Sequence, residues 1–155
     1  MSARACCNSG ELRFRPLAKV DIPAVAAIEN DALSSWNHHF IEHEMMVQGG
    51  VQYVAENKNG IIGWYAVRQI PPEAELQKIG VRKEHRRRGA GSCLLAHLIR
   101  QMTGLGNESL FLEVRSKNVP ALCLYQKHGF VEIGRRPGYY SKPEDDALIL
   151  RRNLR

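Results

Sequence analysis

Hydrophobic and polar positions change period several times along this chain, and each change marks an element. Alternation over Leu12–Pro16 predicts a first strand. Behind it Asp21 is a good N-cap for a helix carrying Ile22, Val25, Ala26 and Ile28. A second helix is predicted from Asn37, with Trp36 at N′ and Ile41 at N4 in the arrangement of a hydrophobic staple and Phe40 beside them. Two strands, Val51–Glu56 and Ile61–Ile70, flank Asn57-Lys58-Asn59-Gly60, whose Asn-Gly pair signals a hairpin. Pro71-Pro72 ends that pairing. The next strand, about Ala74–Val81, slips in its alternation. Leu76 belongs to one face and Ile79 and Val81 to the other, as a β-bulge would produce.

From Gln77 onward the chain passes from this strand through an Arg-rich turn into Gly89-Ala90-Gly91 and then a helix. Leu94, Leu95, Leu98 and Met102 share one face of that helix and predict that it lies on a sheet. After the Gly104-Leu105-Gly106 turn, Leu110–Val114 reads as a buried strand. A last helix, about Asn118–His128, stops at Gly129 as a C′ residue should. Two closing strands, near Phe130–Arg135 and Ala147–Arg151, complete the pattern. The fold class expected is α/β (α+β): one domain over residues 11–155, with residues 1–10 a flexible N-terminal tail. Its sheet would be mixed, mostly antiparallel, of six to seven strands with about four helices.

Composition narrows the setting. At 155 residues and 44% hydrophobic the chain can bury a real core. No apolar run approaches the roughly 20 residues that span a bilayer, and Met1–Gly10 lacks the apolar stretch of a secretory signal, so a cytoplasmic protein is expected. The four cysteines show neither a disulfide framework nor metal spacing. Net charge is +6, and its placement matters more than its size. Residues 82–88 carry five basic groups and Glu84, while Arg151, Arg152 and Arg155 add three more. That concentration beside a glycine turn favours a phosphate-bearing ligand over a general nucleic-acid surface, and no direct nucleic-acid binding is expected.

The turn has the chemistry of a pyrophosphate site. Glycines remove the Cβ atoms that keep an anion off the backbone, and the first amides of a helix point their partial positive charge outward. Arg86, Arg87 and Arg88 supply countercharge. A second feature is Glu113, a carboxylate in the apolar run Leu110–Val114. It reads either as a base or as a strand-end acid paired with Arg115 on the same face, and spacing leaves both open. A third is the run from Asn118 to Tyr125. Asn118 can cap the helix, Pro120 fits its first turn, and Tyr125 falls seven residues after Asn118 on one face. By spacing alone Tyr125 reads as a core aromatic. His39 and His43, at i and i+4, have zinc spacing, but Phe40 replaces the glutamate of HExxH, so a solvated face is the expectation and no metal is. His97 reads as a partly exposed helix residue.

Arg86-Arg87-Arg88-Gly89-Ala90-Gly91 resembles the R/Q-x-x-G-x-G/A pyrophosphate motif of the GNAT acetyltransferases. Leu112–Asn118, Leu124-Tyr125, Gly129-Phe130, Tyr139-Tyr140 and Glu144–Ala147 are together similar to the RimI branch of that family, which acetylates the N-terminal alanine of a small-subunit ribosomal protein. The resemblance implies a GNAT fold whose sheet splays at an acetyl-CoA site. It implies that Ile79, Gly80 and Val81 offer backbone groups to the acetyl and pantetheine end, and that Arg86, Arg87, Arg88, Gly89, Ala90, Gly91 and Ser92 hold the pyrophosphate. Asn118 would bind near the reactive end, Glu113 would be general base and Tyr125 general acid. Tyr139 and Tyr140, on the connection between the last two strands, would wall the amine groove. The partner implied is a protein or peptide N-terminus, with no membrane involved. This chain departs from the family pattern at Lys83, where proline is common, at Gly80, where alanine is common, and at Ser35-Trp36, which lacks the usual Phe-Pro before tryptophan.

Two other functions fit the same residues: acetylation of a small amine such as a polyamine or antibiotic, and acyl-CoA binding without catalysis. Charge favours an α-amine as acceptor. Its pKa of about 7.7–8.0 makes the neutral nucleophile cost roughly 1 kcal/mol at neutral pH, against over 4 for a lysine near 10.4. Cys123 is not expected to act as a nucleophile, since it lies off the face of Tyr125 and no partner base follows from sequence.

Overall fold

A computed structural model describes residues 4–7 and 10–155, the first four by backbone alone. Eight strands and four α-helices are formed among them. In chain order these are β1 (Arg4–Cys7), β2 (Gly10–Pro16), α1 (Ile22–Glu29), α2 (His38–Glu44), β3 (Gly50–Asn57), β4 (Gly60–Ile70) and β5 (Glu73–Val81), then α3 (Ala90–Gly104), β6 (Ser109–Arg115), α4 (Val119–Lys127), β7 (Val131–Ser141) and β8 (Glu144–Asn153). The strand order is β1-β2-β3-β4-β5-β6-β8-β7, with β5 and β6 parallel. The strand beyond the expected six to seven is β1, which pairs antiparallel with β2 inside the segment read as a tail. Alternating hydrophobicity, the signal that revealed the other strands, is missing from Arg4-Ala5-Cys6-Cys7.

The domain divides into two compact units. The first comprises residues up to Arg68 together with Gln77–Leu98. Its core gathers Ile22, Val25 and Ile28 of α1, Ile41 of α2, and Val54, Ile61 and Trp64 of the β3–β4 hairpin. Asn57 pairs with Gly60 across that hairpin, and the Asn57 side chain accepts the Asn59 N–H at 2.8 Å. Asn37 caps α2, its Oδ1 accepting the Phe40 N–H at 2.8 Å; Ile41 is buried, and Trp36 packs on Phe40 and against the core cluster that holds Ile41. Asp21 does not cap α1 with its side chain. Its carboxylate instead accepts the Ala18 N–H at 2.8 Å and grips Arg15 at 2.7 and 2.9 Å, because a short 3-10 turn at Lys19–Asp21 precedes the helix and turns the acid back toward β2.

α3 begins in this unit. Leu94 and Leu98 are fully buried, and a Cβ on Gly63 of β4 would lie 2.7 Å from Leu94 Cδ1, so helix and strand touch through a glycine. His97 is buried too, contrary to expectation. It lies within the apolar arc between Leu94 and Leu98, stacks on Phe14 at 4.3 Å, and its Nδ1 is 3.0 Å from the Tyr65 hydroxyl. A buried imidazole is tolerable where a partner satisfies it, and Tyr65 is that partner.

The second unit holds Gln69–Leu76 and Ile99–Arg155. Glu73–Leu76 of β5 run parallel to Ser109–Leu112, and β6 continues antiparallel to β8, setting Leu112 opposite Leu150 and Val114 opposite Leu148. β5 itself runs on to Val81. Its alternation ends after Leu76 as read, and Gln77–Val81 are all half-buried. Register shifts fall between Ala55 and Glu56 in the β3–β4 pairing and at two places in β7. α4 ends in a Schellman motif: Gly129, at φ +82, donates to Gln126 O and Phe130 N–H to Tyr125 O.

Candidate active site

In the first unit, the site is built from main chain. Arg87 (φ +58) and Gly89 (φ +84) are both left-handed, which curls residues 86–89 back before α3. The helix's own ladder opens with Cys93 N–H to Gly89 O at 3.0 Å, so the amides of Ala90 and Gly91 lie ahead of it. The three arginines diverge. Arg86 Nε donates to Val81 O at 3.0 Å, tying the turn to the end of β5, whereas Arg88 lines a cavity of about 480 Å³ with His85 and the β3–β4 hairpin tip. Arg82 N–H donates to Ile62 O at 2.7 Å, which fixes where β5 stops. A turn with two left-handed residues, leading amides and guanidinium groups fits a diphosphate.

Gly80 is enclosed. A Cβ there would stand 3.2 Å from Glu29 Oε2 and Ile28 Cγ2 and 3.4 Å from Trp64 Nε1, so the alanine common at this position would need its neighbours to yield. Glu29 is a functional candidate that sequence reasoning missed. It is only 2% exposed and lies near Lys78. A charged residue ending an apolar helix was the one signal, and it is shared by many solvated acids.

The second unit supplies side chains. Glu113 points from β6 with 24% of its side chain exposed, and its Oε1 lies 3.2 Å from Arg136 Nη2 of β7. Its partner is therefore not Arg115. That guanidinium stacks 4.0 Å from the centre of the Tyr140 ring and donates to the carbonyls of Pro143 (2.9 Å) and Lys142 (3.4 Å). Strand spacing puts residues 113 and 115 on one face but cannot say which neighbouring strand offers the better partner. Burial, and then the negative charge of Glu113, raise the Tyr140 phenol above its ordinary value.

Tyr139 and Tyr140 lie within β7, not on a connection. The strand outlasts its expected end because Gly138, at φ +60, donates its N–H to Asp146 Oδ1 at 2.8 Å and so absorbs a register shift between Arg136 and Tyr140. Tyr139 is exposed, with Arg136 5.5 Å from its ring centre.

Asn118 caps α4, its Oδ1 accepting the Ala121 N–H at 3.3 Å. The turn before it is held by Asp145, which accepts from the Ser116 hydroxyl, from Lys117 N–H at 3.1 Å and from Asp146 N–H at 2.8 Å. The Ser116 hydroxyl is the largest influence holding that carboxyl below the usual range. Tyr125 is buried with its ring 5.7 Å from Phe130, and burial pushes its phenol up to about 12. His38, His39 and His43 are exposed on α2, and among the described residues no three His, Cys, Asp or Glu side chains gather as a metal site. Among the described residues, no helix is long and apolar enough to cross a membrane.

An α/β domain of this strand order, with a left-handed glycine turn ahead of a buried helix, matches an acyltransferase of a particular class. The acetyltransferase (GNAT) family model matches residues 22–130, and the chain belongs to that family. It is 34% identical over 140 residues to the [ribosomal protein bS18]-alanine N-acetyltransferase of Escherichia coli K12, covering 86% of this chain and 92% of that one. It is 31% identical over 127 residues to an N-alpha-acetyltransferase of Saccharolobus solfataricus, covering 74% of this chain and 75% of the relative. The crystal structure of the Escherichia coli ribosomal-protein-S18-alanine N-acetyltransferase superposes with a TM-score of 0.86 at 27% identity, over 92% of this chain and 94% of that one. The protein is thus an acetyl-CoA-dependent N-acetyltransferase of the RimI type.

Proposed function

We propose that the protein acetylates the N-terminal α-amine of a protein in the cytoplasm, with the N-terminal alanine of a small-subunit ribosomal protein as acceptor. Its similarity to an alanine N-acetyltransferase over most of both chains carries this reading. Residues 86–92 hold the pyrophosphate, the backbone of Ile79, Gly80 and Val81 meets the acetyl and pantetheine end, and Asn118 binds near the thioester. The bound thioester supplies the acetyl carbonyl. Glu113, directly or through a water, accepts the proton of the acceptor ammonium, and the Val81 N–H donates to the oxygen that gains charge. Tyr125 donates a hydrogen bond to the departing sulfur. Full proton transfer is disfavoured, because a phenol raised to about 12 by burial is a far weaker acid than a thiol at about 8.5. Tyr139 and Tyr140 wall the path of the amine.

Three acceptors test the reading by intact mass: a peptide beginning with alanine, the same peptide with a blocked N-terminus, and spermidine. One acetyl group on the first alone is the expected result. Turnover of spermidine with silence on the peptide overturns it. Binding of acetyl-CoA without turnover of any amine leaves only a non-catalytic module.

A further inference from the structure

Lys78 stands on β5 two residues before Gly80, and its side chain reaches the segment 30–37 that joins α1 to α2. Its ammonium donates to the Ser34 carbonyl, lies 3.4 Å from Glu29 Oε1, and sits 5.7 Å from the centre of the Trp36 ring. Only 16% of the Lys78 side chain is exposed. Glu29, the last residue of α1, also accepts the Trp36 main-chain N–H at 3.3 Å and the Trp64 indole N–H at 3.4 Å. One buried carboxylate therefore gathers donors from the segment, from β4 and from β5. Its other oxygen is the atom that a Cβ on Gly80 would meet. The network thus leans on the strand backbone that the proposed function assigns to the acetyl end. Outside it, Leu33 and Phe40 are exposed and Trp36 is half-buried, an apolar rim beside that backbone.

We propose that Lys78 is a positioning residue for the acceptor: its ammonium clamps residues 30–37, and Trp36 with them, onto β5, and so sets how tightly the acceptor peptide binds. This rests on the acetyltransferase reading of residues 79–81. A buried carboxylate such as Glu29 is tolerated only while donors surround it. Deleting the ammonium removes the one cation paired with it among the described residues and unties the Ser34 carbonyl, and a connecting segment loosens before the elements it joins.

Lys78→Met keeps most of the aliphatic stem and deletes the charge, while Lys78→Arg keeps the charge. For Lys78→Met the KM of an alanine-starting peptide is expected to rise about tenfold, the size of one lost charge-assisted hydrogen bond, with kcat and the acetyl-CoA Kd within about twofold. Lys78→Arg restores most of the KM. Trp36 reports separately: Lys78→Met moves tryptophan emission to longer wavelength, and the shift vanishes in a Trp36→Phe background. An unchanged peptide KM overturns the proposal, as does a raised KM accompanied by parallel losses of kcat, acetyl-CoA binding and Tm, which marks a purely structural ion pair. Were the wild type silent on the peptide, the functional reading would fall, and the emission shift alone would decide whether the clamp exists.

Discussion

In the proposed mechanism the residues assigned to the cofactor in the first unit act through backbone, whereas those assigned in the second act through side chains, whose partners come from distant strands. Around Arg86–Gly91 what matters is the sign of φ at residues 87 and 89 and the position of a helix start, and both follow from local chain chemistry. Around Glu113 what matters is that Arg136, more than twenty residues on, arrives from β7. Main-chain sites tolerate variation in side chains but not in conformation, and side-chain sites behave the other way round.

The sharpest way to break this comparison is Glu113→Gln. With the proposed base deleted and the strand retained, kcat should drop on the order of 10²–10³, while acetyl-CoA binding and Tm hold steady. Rate loss accompanied by lost cofactor binding would mean that Glu113 supports the fold instead. Tyr125→Phe should cost kcat about tenfold, the contribution of a hydrogen bond rather than of a full acid. Because burial raises this phenol to about 12, above its ordinary 10, the folded state keeps its proton where the unfolded chain loses it. Stability from this group is therefore complete below about pH 10 and is lost as pH rises toward 12. Denaturant titrations at pH 9 and 11 should show that decline in the wild type and less of it in Tyr125→Phe.

On the backbone side, Gly89→Ala should weaken acetyl-CoA binding up to about tenfold, because a left-handed alanine costs roughly 1–2 kcal/mol. Calorimetry measures this, and unchanged affinity would remove the turn from the cofactor site. The smallest effect is expected at His128, whose pKa is lowered by burial and then by the charges of Arg152 and Lys127. A lowered folded value means stability that is present above about 6.5 and lost as pH falls through the folded value. Melting temperatures at pH 7.5 and 5.5 should show that loss shrinking in His128→Gln.

Legibility in the sequence followed the same division. The helix stop at Gly129, the start of α2 at Asn37, and the apolar face of α3 are local patterns, and each is formed. The glycine turn was readable because conformation and composition coincide there. Partners were not readable. Nothing near Glu113 in sequence points to Arg136, and nothing near His97 points to the Tyr65 hydroxyl, since strand neighbours are chosen by topology. Tyr139 and Tyr140 were misplaced onto a connection because one hydrogen bond from Gly138 to Asp146 extends β7. Lys78 and Glu29 went unseen for the same reason: their meeting requires α1 to end over β5.

The Schellman turn after α4 has an evolutionary consequence. Tyr125 is tethered twice to Phe130, by its carbonyl and by its ring, so the aim of its hydroxyl is inherited from the way the helix ends. Directed selection for a new acceptor should accordingly accumulate changes at Tyr139, which is bare to solvent, and leave the 125–130 loop untouched. Under the proposed mechanism, what the enzyme modifies can be retuned without renegotiating how its leaving group is stabilised.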